Sequence, residues 1–439
     1  MRGRSKVRKY AFTTKSTKFE VCNHPKPSVL SALRGESSKL KLAYYLHKSL
    51  DKPSLLTAPQ AKSSETLADM EQKSANKYFS TVGDGSGLAQ TDGLYKEELQ
   101  LALRNRGMPL EALRYPITPT GLHYLLIHYD IPEVNAGEWR LQIAGRVATP
   151  LDLTLEEIKK RPRRTIPVTM ECAGNGRALF APRRISQPWL LEAIGNAEWT
   201  GTPLRGILQE AGVSSDAVEI VFTGLDQGVE GDQVQHYQRS LTVDEATRDE
   251  VLLVYEMNGE PLPPQHGYPL RLLKPGWYGM ASVKWLDRIE AVAEPFQGYQ
   301  MVRAYRYAQS AEEPGVAVDV IRARALMIPP GIPDFMTRDR LVGAGSVTLA
   351  GKAWAGHGGV ARVEVSVDGG ATWSEAQLGE SGSSYAWSSW TFAWDATPGA
   401  YILQVRASDA DGNVQPAVQQ WNFGGYGNNG VQRVNVVVR

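Results

Sequence analysis

An α+β chain that closes with an immunoglobulin-like β-sandwich is predicted by three features of this 439-residue sequence. Up to about residue 310, strand and short helix signals alternate without a repeating βαβ period, which argues for a mixed domain and against a doubly wound sheet. From about Ser346 the pattern changes to short apolar–polar alternations divided by turn signals, as in a sandwich. The 11 Trp and 42 Gly suit a turn-rich, largely β chain better than a helical bundle. The length allows two or three domains, and three regions are expected: 1–95, 96–315 and 316–439.

The first fifty residues hold twelve Lys/Arg against two acids, Glu20 and Glu36, with frequent Ser and Thr. No apolar run follows these charges, so a secretory signal is not expected. The composition fits either an organelle-targeting segment or a disordered basic extension, and both stay open. The formal net charge of +1 points away from a nucleic-acid binder. No run of about 18 apolar residues occurs, so no membrane span is expected. The two cysteines, Cys22 and Cys172, lie far apart, so a disulfide framework is not expected.

Along the chain, Tyr95 to Arg114 reads as helical, with leucines among charges. Residues 121–132 read as a strand, and Trp139 to Gly145 alternates as a half-buried strand ending in Gly. Thr154, followed by Glu156 and Glu157, caps a short helix. A helix is expected over 204–211 and a strand over 218–222, ended by Gly224-Leu225-Asp226. In the last region Val347, Leu349, Val363, Val365 and Val367 alternate with polar or small residues. Asp368-Gly369-Gly370 and Asp409 to Asn413 supply turn signals.

The chemistry centres on Thr169-Met170-Glu171-Cys172-Ala173-Gly174-Asn175-Gly176-Arg177. A thiol on a small-residue turn after an apolar run is either a buried structural cysteine or, as thiolate, a soft metal ligand. The residues alone leave both readings open.

Cys172-Ala173-Gly174-Asn175, followed one residue later by Arg177, resembles the molybdenum-ligand motif of the sulfite oxidase family of molybdopterin enzymes. The family's later segments follow in order as His266-Gly267-Tyr268-Pro269-Leu270-Arg271, Pro275-Gly276 and Val283-Lys284-Trp285-Leu286. The resemblance runs from roughly Tyr115 to the C-terminus. It implies a molybdopterin-binding α+β domain followed by a dimerisation sandwich, with molybdenum–molybdopterin as cofactor. No haem-binding domain or covalent haem motif is seen, so the electrons are expected to leave to an external acceptor such as cytochrome c or oxygen. A homodimer is implied as well.

Carried over residue by residue, the resemblance makes Cys172 the metal ligand. His266 and Arg271 become contacts to the pterin and its phosphate, Ser282 and Lys284 part of the phosphate-wrapping segment, and Asp226 a partner of the pterin's amino edge. His128 and Tyr129 are grouped with the cofactor contacts. Arg177 matches an anion-binding arginine, Tyr305 a tyrosine beside the metal, and Trp189 a pocket-wall tryptophan. Arg177, Tyr305 and His128 are the candidate catalytic residues.

Two departures stand out. His128-Tyr129-Asp130 occupies the place of the family's Arg-Asn-His, so His128 replaces an arginine. His357-Gly358-Gly359 leaves out the arginine many members carry in the second domain. A pocket less cationic than that of a eukaryotic sulfite oxidase follows, with weaker sulfite binding, a stronger pH dependence or another sulfur substrate all allowed. The expected function is oxidation of sulfite to sulfate. The alternatives are a sulfane-sulfur dehydrogenase-like enzyme and a non-catalytic interaction protein using the sandwich; a nitrate reductase fits less well.

Overall fold

The computed structural model describes residues 87–90, 92–356 and 358–439. The basic segment up to residue 86, Cys22 and His357 lie outside the described residues, as do the expectations placed on them.

Two sheets carry the front region. In the first, strands run in the order Leu151–Thr154, Arg140–Gly145, Leu286–Val292, Glu219–Glu230, Gln233–Thr242. Arg140–Gly145 and Leu286–Val292 pair in parallel, the other neighbours antiparallel. The second sheet is antiparallel: Arg164–Glu171 pairs with Ile194–Pro203, which pairs with Leu252–Met257. The short strands Glu260–Pro261 and Arg271–Leu273 both join Leu252–Met257.

The short helices form where caps and apolar spacing call for them. Leu155–Lys159 begins at Thr154, whose hydroxyl accepts from Glu157 N while Glu157 Oε2 accepts from Thr154 N, at 3.1 and 2.8 Å. Leu204–Ala211 buries Leu204, Ile207, Leu208 and Ala211, one face at helical spacing, and stops at Gly212 in the left-handed region. Each large apolar side chain buried this way stabilises the fold by about 1.5–3 kcal/mol.

Three expectations are corrected. The helix over 95–114 is broken: Lys96–Arg104 is helical, Asn105 is extended, and a 3₁₀ turn, Leu110–Arg114, follows Pro109. Pro109 lacks an N–H and disfavours a helical residue before it, so continuation past Gly107 fails. Residues 121–132 are not a regular strand. A 3₁₀ turn, Thr120–Leu122, leads into irregular chain whose β-pairing is a single bridge, Arg106 to Leu125, among the described residues. Gly224-Leu225-Asp226 does not end its strand, because Glu219–Glu230 runs on through a bulge between Thr223 and Gln227. Such a bulge re-aims side chains, and here Asp226 lines a cavity.

The β-sandwich pairs a four-stranded sheet, Arg324–Met327, Gly345–Trp354, Ser388–Ala396 and Gln377–Ser381, with a six-stranded one. In the latter the order is Ile332–Pro333, Arg340–Val342, Gln432–Val438, Gly399–Asp409, Val360–Ser366, Ser374–Glu375. Strict alternation in Gln432–Val438 sends Val434, Val436 and Val438 inward against Leu403, Val405, Val363, Val365, Trp390 and Trp394. Gly369 and Gly370, both at positive φ, make the turn after Val360–Ser366. The pair Arg306–Tyr307 with Val316–Ala317 bridges the expected boundary at 315, and Val318 and Ile321 belong to the front core.

The two regions are joined by a buried ion pair. Glu171, last residue of its strand, accepts from Arg324 Nη1 at 2.6 Å and from Trp354 Nε1 at 2.8 Å, both from the sandwich. Asn175 Nδ2 donates to the same carboxylate at 2.9 Å. Glu171 and Arg324 are 1% and 0% exposed, so water screens neither charge. Arg324→Met leaves that carboxylate without its cation and is expected to cost about 3–5 kcal/mol in denaturant unfolding. Adding Glu171→Gln to the same chain recovers much of the loss. An equal loss in the double variant would assign the cost to packing.

Candidate functional site

The strand Arg164–Glu171 delivers Cys172 onto a tight turn, closed by Cys172 N to Ala193 O and Asn175 N to Cys172 O, both 2.9 Å. Gly176 has φ +86°, and a Cβ there would meet the Asn428 side chain at 2.8 Å, so neither conformation nor space admits a larger residue. Asn428 Nδ2 donates to Gly176 O, and Gly427 N to Ala173 O, so the sandwich also clasps the turn. Cys172 is a free thiol, 6% exposed, and packs in an apolar cluster with Met170, Val168, Trp189 and Trp199. Burial pushes its pKa up, against Arg177, which favours the thiolate.

Two cavities meet at this thiol. The first is lined by His266, Arg271, Ser282, Lys284, Asp226 and His123, among others. The second, of about 250 Å³, is lined by Arg177, Trp189, Tyr129, Glu230, Gln300 and Tyr426, among others. Cys172, Leu126, His128 and Tyr305 line both. The structure thus divides the sequence candidates: His266, Arg271, Ser282, Lys284 and Asp226 converge in one space, Arg177 and Trp189 in the other, and Cys172, His128 and Tyr305 at the seam. Tyr129, expected with the cofactor contacts, faces the second cavity instead. Its ring fills the space over Gly228, and its hydroxyl donates to Glu230 Oε2 at 2.9 Å.

The first cavity has the donor set of an anion-bearing heterocycle's cradle. Arg271 Nη1 and Nη2 donate to the carbonyls of His266 and Ser282, and its guanidinium lies 5.0 Å from the Trp199 ring. Arg271 therefore brings charge while fastening the surrounding loops. Lys284 Nζ donates to the carbonyls of Leu126 and Gln265. Ser282 Oγ accepts from Lys274 N. His266 Nε2 and His123 Nε2 are buried without partners among the described residues. Buried polar atoms of this kind carry a cost that a ligand relieves. Two cations, two orphaned imidazole nitrogens and the Asp226 carboxylate fit a molybdopterin, with the Cys172 thiol at the rim.

Burial sets the protonation of this cradle. It lowers the pKa of His123 to about 4, of His128 to about 3 and of His266 to about 2, and nearby cations add to the effect. All three imidazoles are therefore neutral near pH 7. His128 does not supply the replaced arginine's charge, and the stronger pH dependence allowed on that ground is not expected around neutrality. Burial lowers Lys284 to about 7 and raises Asp226 to about 6, each partly opposed by the other.

At the seam, His128 Nε2 and Tyr305 Oη are 2.5 Å apart. Burial raises the Tyr305 pKa, so the phenol stays protonated and donates while the neutral imidazole accepts. Tyr305 has φ +55°, uncommon for a non-glycine residue and a sign of a held side chain. Arg177 donates from Nε to Gly424 O and from Nη1 to Ser186 Oγ and Gln187 O. Its guanidinium sits 5.0 Å over the Tyr426 ring, and Nη2 has no partner among the described residues.

Sequence reasoning did not assign His123, Tyr426, Glu230 or Gln300. His123 stood in a segment read as a strand, where alternation alone did not mark it. A Cβ on Gly195 would come within 2.4 Å of its ring, a packing constraint invisible in sequence. Tyr426 lies far along the chain and reaches the site only through the sandwich fold.

Two family models match the chain: "Oxidoreductase molybdopterin binding domain" over residues 128–300 and "Mo-co oxidoreductase dimerisation domain" over residues 323–439. The sulfite oxidase of Arabidopsis thaliana is 33% identical over 349 residues, 72% of this chain and 87% of that protein. The mitochondrial sulfite oxidase of Mus musculus is 34% identical over 342 residues, 73% of this chain. That match spans 62% of the mouse protein's length. Nitrate reductase (NADH) 1 of A. thaliana is 31% identical over 74% of this chain and 39% of its own. Among solved structures, the sulfane dehydrogenase SoxCD of Paracoccus pantotrophus superposes with a TM-score of 0.67 and 27% identity, covering 85% of this chain and 92% of that one.

The neutral histidines predict acid lability in the cofactor-free protein. Unfolding returns each to the usual pKa near 6.5, so between pH 6.5 and about 4 the unfolded chain binds more protons and stability falls as pH falls. Asp226, raised to about 6, takes up a proton on folding and offsets one of the three. Denaturant midpoints across this window should show His266→Gln flattening the loss by about 1.4 kcal/mol per pH unit. An unchanged slope would mean that His266 is charged in the folded state.

Proposed function

Because the chain belongs to the sulfite oxidase family of molybdopterin-dependent oxidoreductases, we propose that it oxidises a small sulfur oxyanion, sulfite foremost, by two electrons that pass to an external acceptor. The supporting observation is the placing of Cys172 at the seam between a cofactor-shaped cradle and a second cavity that presents a guanidinium. A molybdenum–molybdopterin held there supplies the oxygen-atom chemistry and takes up the two electrons. The rest falls to the chain. Arg271 and Lys284 balance the phosphate charge, while His266 and His123 present ring nitrogens to the heterocycle. Asp226, its pKa near 6, accepts from the amino edge. Arg177 Nη2 holds the oxyanion and is aimed by Gly424, Ser186 and Gln187. Tyr305, held by His128, offers a neutral donor at the seam. The match to a dimerisation-domain model supports a homodimer through the sandwich.

A second reading has its own support. His128 is uncharged, so the pocket is less cationic than one with arginine there, and the chain resembles a sulfane dehydrogenase over most of its length. A less highly charged sulfur substrate suits that pocket.

The test is sulfite-dependent reduction of ferricyanide by protein of known molybdenum content. Turnover is expected, with loss in Cys172→Ser while circular dichroism and unfolding midpoint stay near wild type. Arg177→Met should raise KM for sulfite about 10–100-fold, the worth of a hydrogen bond to a charged group. A molybdenum-loaded but silent protein would overturn the sulfite reading in favour of a sulfane substrate.

A further inference from the structure

The second cavity is too large and too divided in charge for sulfite alone. Its enclosed space, about 250 Å³, is more than a four-atom anion fills. Arg177 provides its positive side. Its wall also carries Glu230 and Gln300, with Leu101, Ile127, Val229 and Ala304 adding apolar surface.

Glu230 is half-buried and makes no ion pair among the described residues. Its Oε2 accepts from Tyr129 Oη at 2.9 Å and from Gln300 Nε2 at 3.2 Å, while Oε1 accepts from no described residue. Gln300 is 1% exposed. Its Nε2 also donates to Tyr129 Oη at 2.6 Å, which fixes the amide's orientation, and its Oε1 is left buried without a partner. Two acceptors that lack donors thus line the cavity that holds the guanidinium. A carboxylate without a counter-cation in an anion's cavity repels the anion and pays a desolvation cost, unless the proper ligand brings a cation of its own.

We infer that the second cavity takes an organic sulfinate with an ammonium group on a short apolar linker, the sulfinate towards Arg177 and Cys172 and the ammonium on Glu230 and Gln300. This rests on the proposed function and extends its substrate class. The reaction is R–SO2⁻ + H2O → R–SO3⁻ + 2 H⁺ + 2 e⁻. A new S–O bond forms at the sulfur lone pair, both O–H bonds of one water break, the protons go to solvent, and the electrons go to two equivalents of a one-electron acceptor.

The probes are 2-aminoethanesulfinate and ethanesulfinate as substrates of the molybdenum-loaded enzyme, and the matching sulfonates as ligands in calorimetry, which needs no turnover. Wild type should favour the amine-bearing member of each pair by tenfold or more, in kcat/KM and in Kd. Glu230→Gln should erase that preference, and Gln300→Leu should reduce it independently if Glu230→Gln fails to fold. Equal handling of both members by wild type, or a preference that survives both substitutions, would overturn the inference while sulfite turnover leaves the proposed function standing. A loaded enzyme silent towards sulfite and both sulfinates overturns both.

Discussion

The Glu171 carboxylate, one residue before the thiol, is the constraint on which the rest of the site depends. A buried carboxylate is expensive to desolvate, and its attraction to Arg324 offsets that expense only with good geometry and further hydrogen bonds. Here Trp354 and Asn175 supply them. Well-packed apolar residues would often hold such a junction as firmly, so stability alone does not account for the pair. What it adds is direction. A bond from each of Arg324, Trp354 and Asn175 fixes where the strand Arg164–Glu171 stops, and so where the Cys172 sulfur lies between the two cavities.

Charge is sorted around that thiol. Burial holds three histidines neutral, so the imidazoles act as hydrogen-bonding groups and the positive field comes from Arg271, Lys284 and Arg177. Full protonation of the cradle would set several cations in a small apolar space with no counter-charge except Asp226. Across the seam the balance changes: the guanidinium of Arg177 shares its cavity with the carboxylate of Glu230. A cationic cradle and a cavity of mixed charge therefore lie on either side of one sulfur atom.

Much of this was legible in the sequence, for identifiable reasons. The Cys172 turn, the His266 to Arg271 segment and Lys284 are local motifs, and local motifs survive being read one stretch at a time. So do the Thr154 capping pair, the 204–211 helix and the alternation of Gln432–Val438, because each depends on neighbours within a few residues. The misreadings fall where distant chain decides the backbone. Residues 121–132 look apolar and extended, yet His123 turns towards His266 while the Leu126 carbonyl serves Lys284. Asp226 was read as the end of a strand because a bulge, which leaves the pairing intact on both sides, has no distinct local signature. Glu230 and Gln300 are seventy residues apart, and only the fold makes them one acceptor pair.

The sandwich contributes more to the site than a surface for association. Arg324 and Trp354 hold the residue before Cys172, and Asn428 and Gly427 clasp the turn after it. Gly424 orients Arg177 through its carbonyl, and Tyr426 lies under the guanidinium. An arginine with two nitrogens bound, one face stacked and one nitrogen unpartnered has lost most of its rotamer freedom before any anion arrives, which lowers the entropy cost of binding. A free-standing sandwich would owe none of these residues to the front region. Their convergence on one turn makes the two regions a single structural unit at this thiol, with Cys172 on one and the parts that fix its turn on the other.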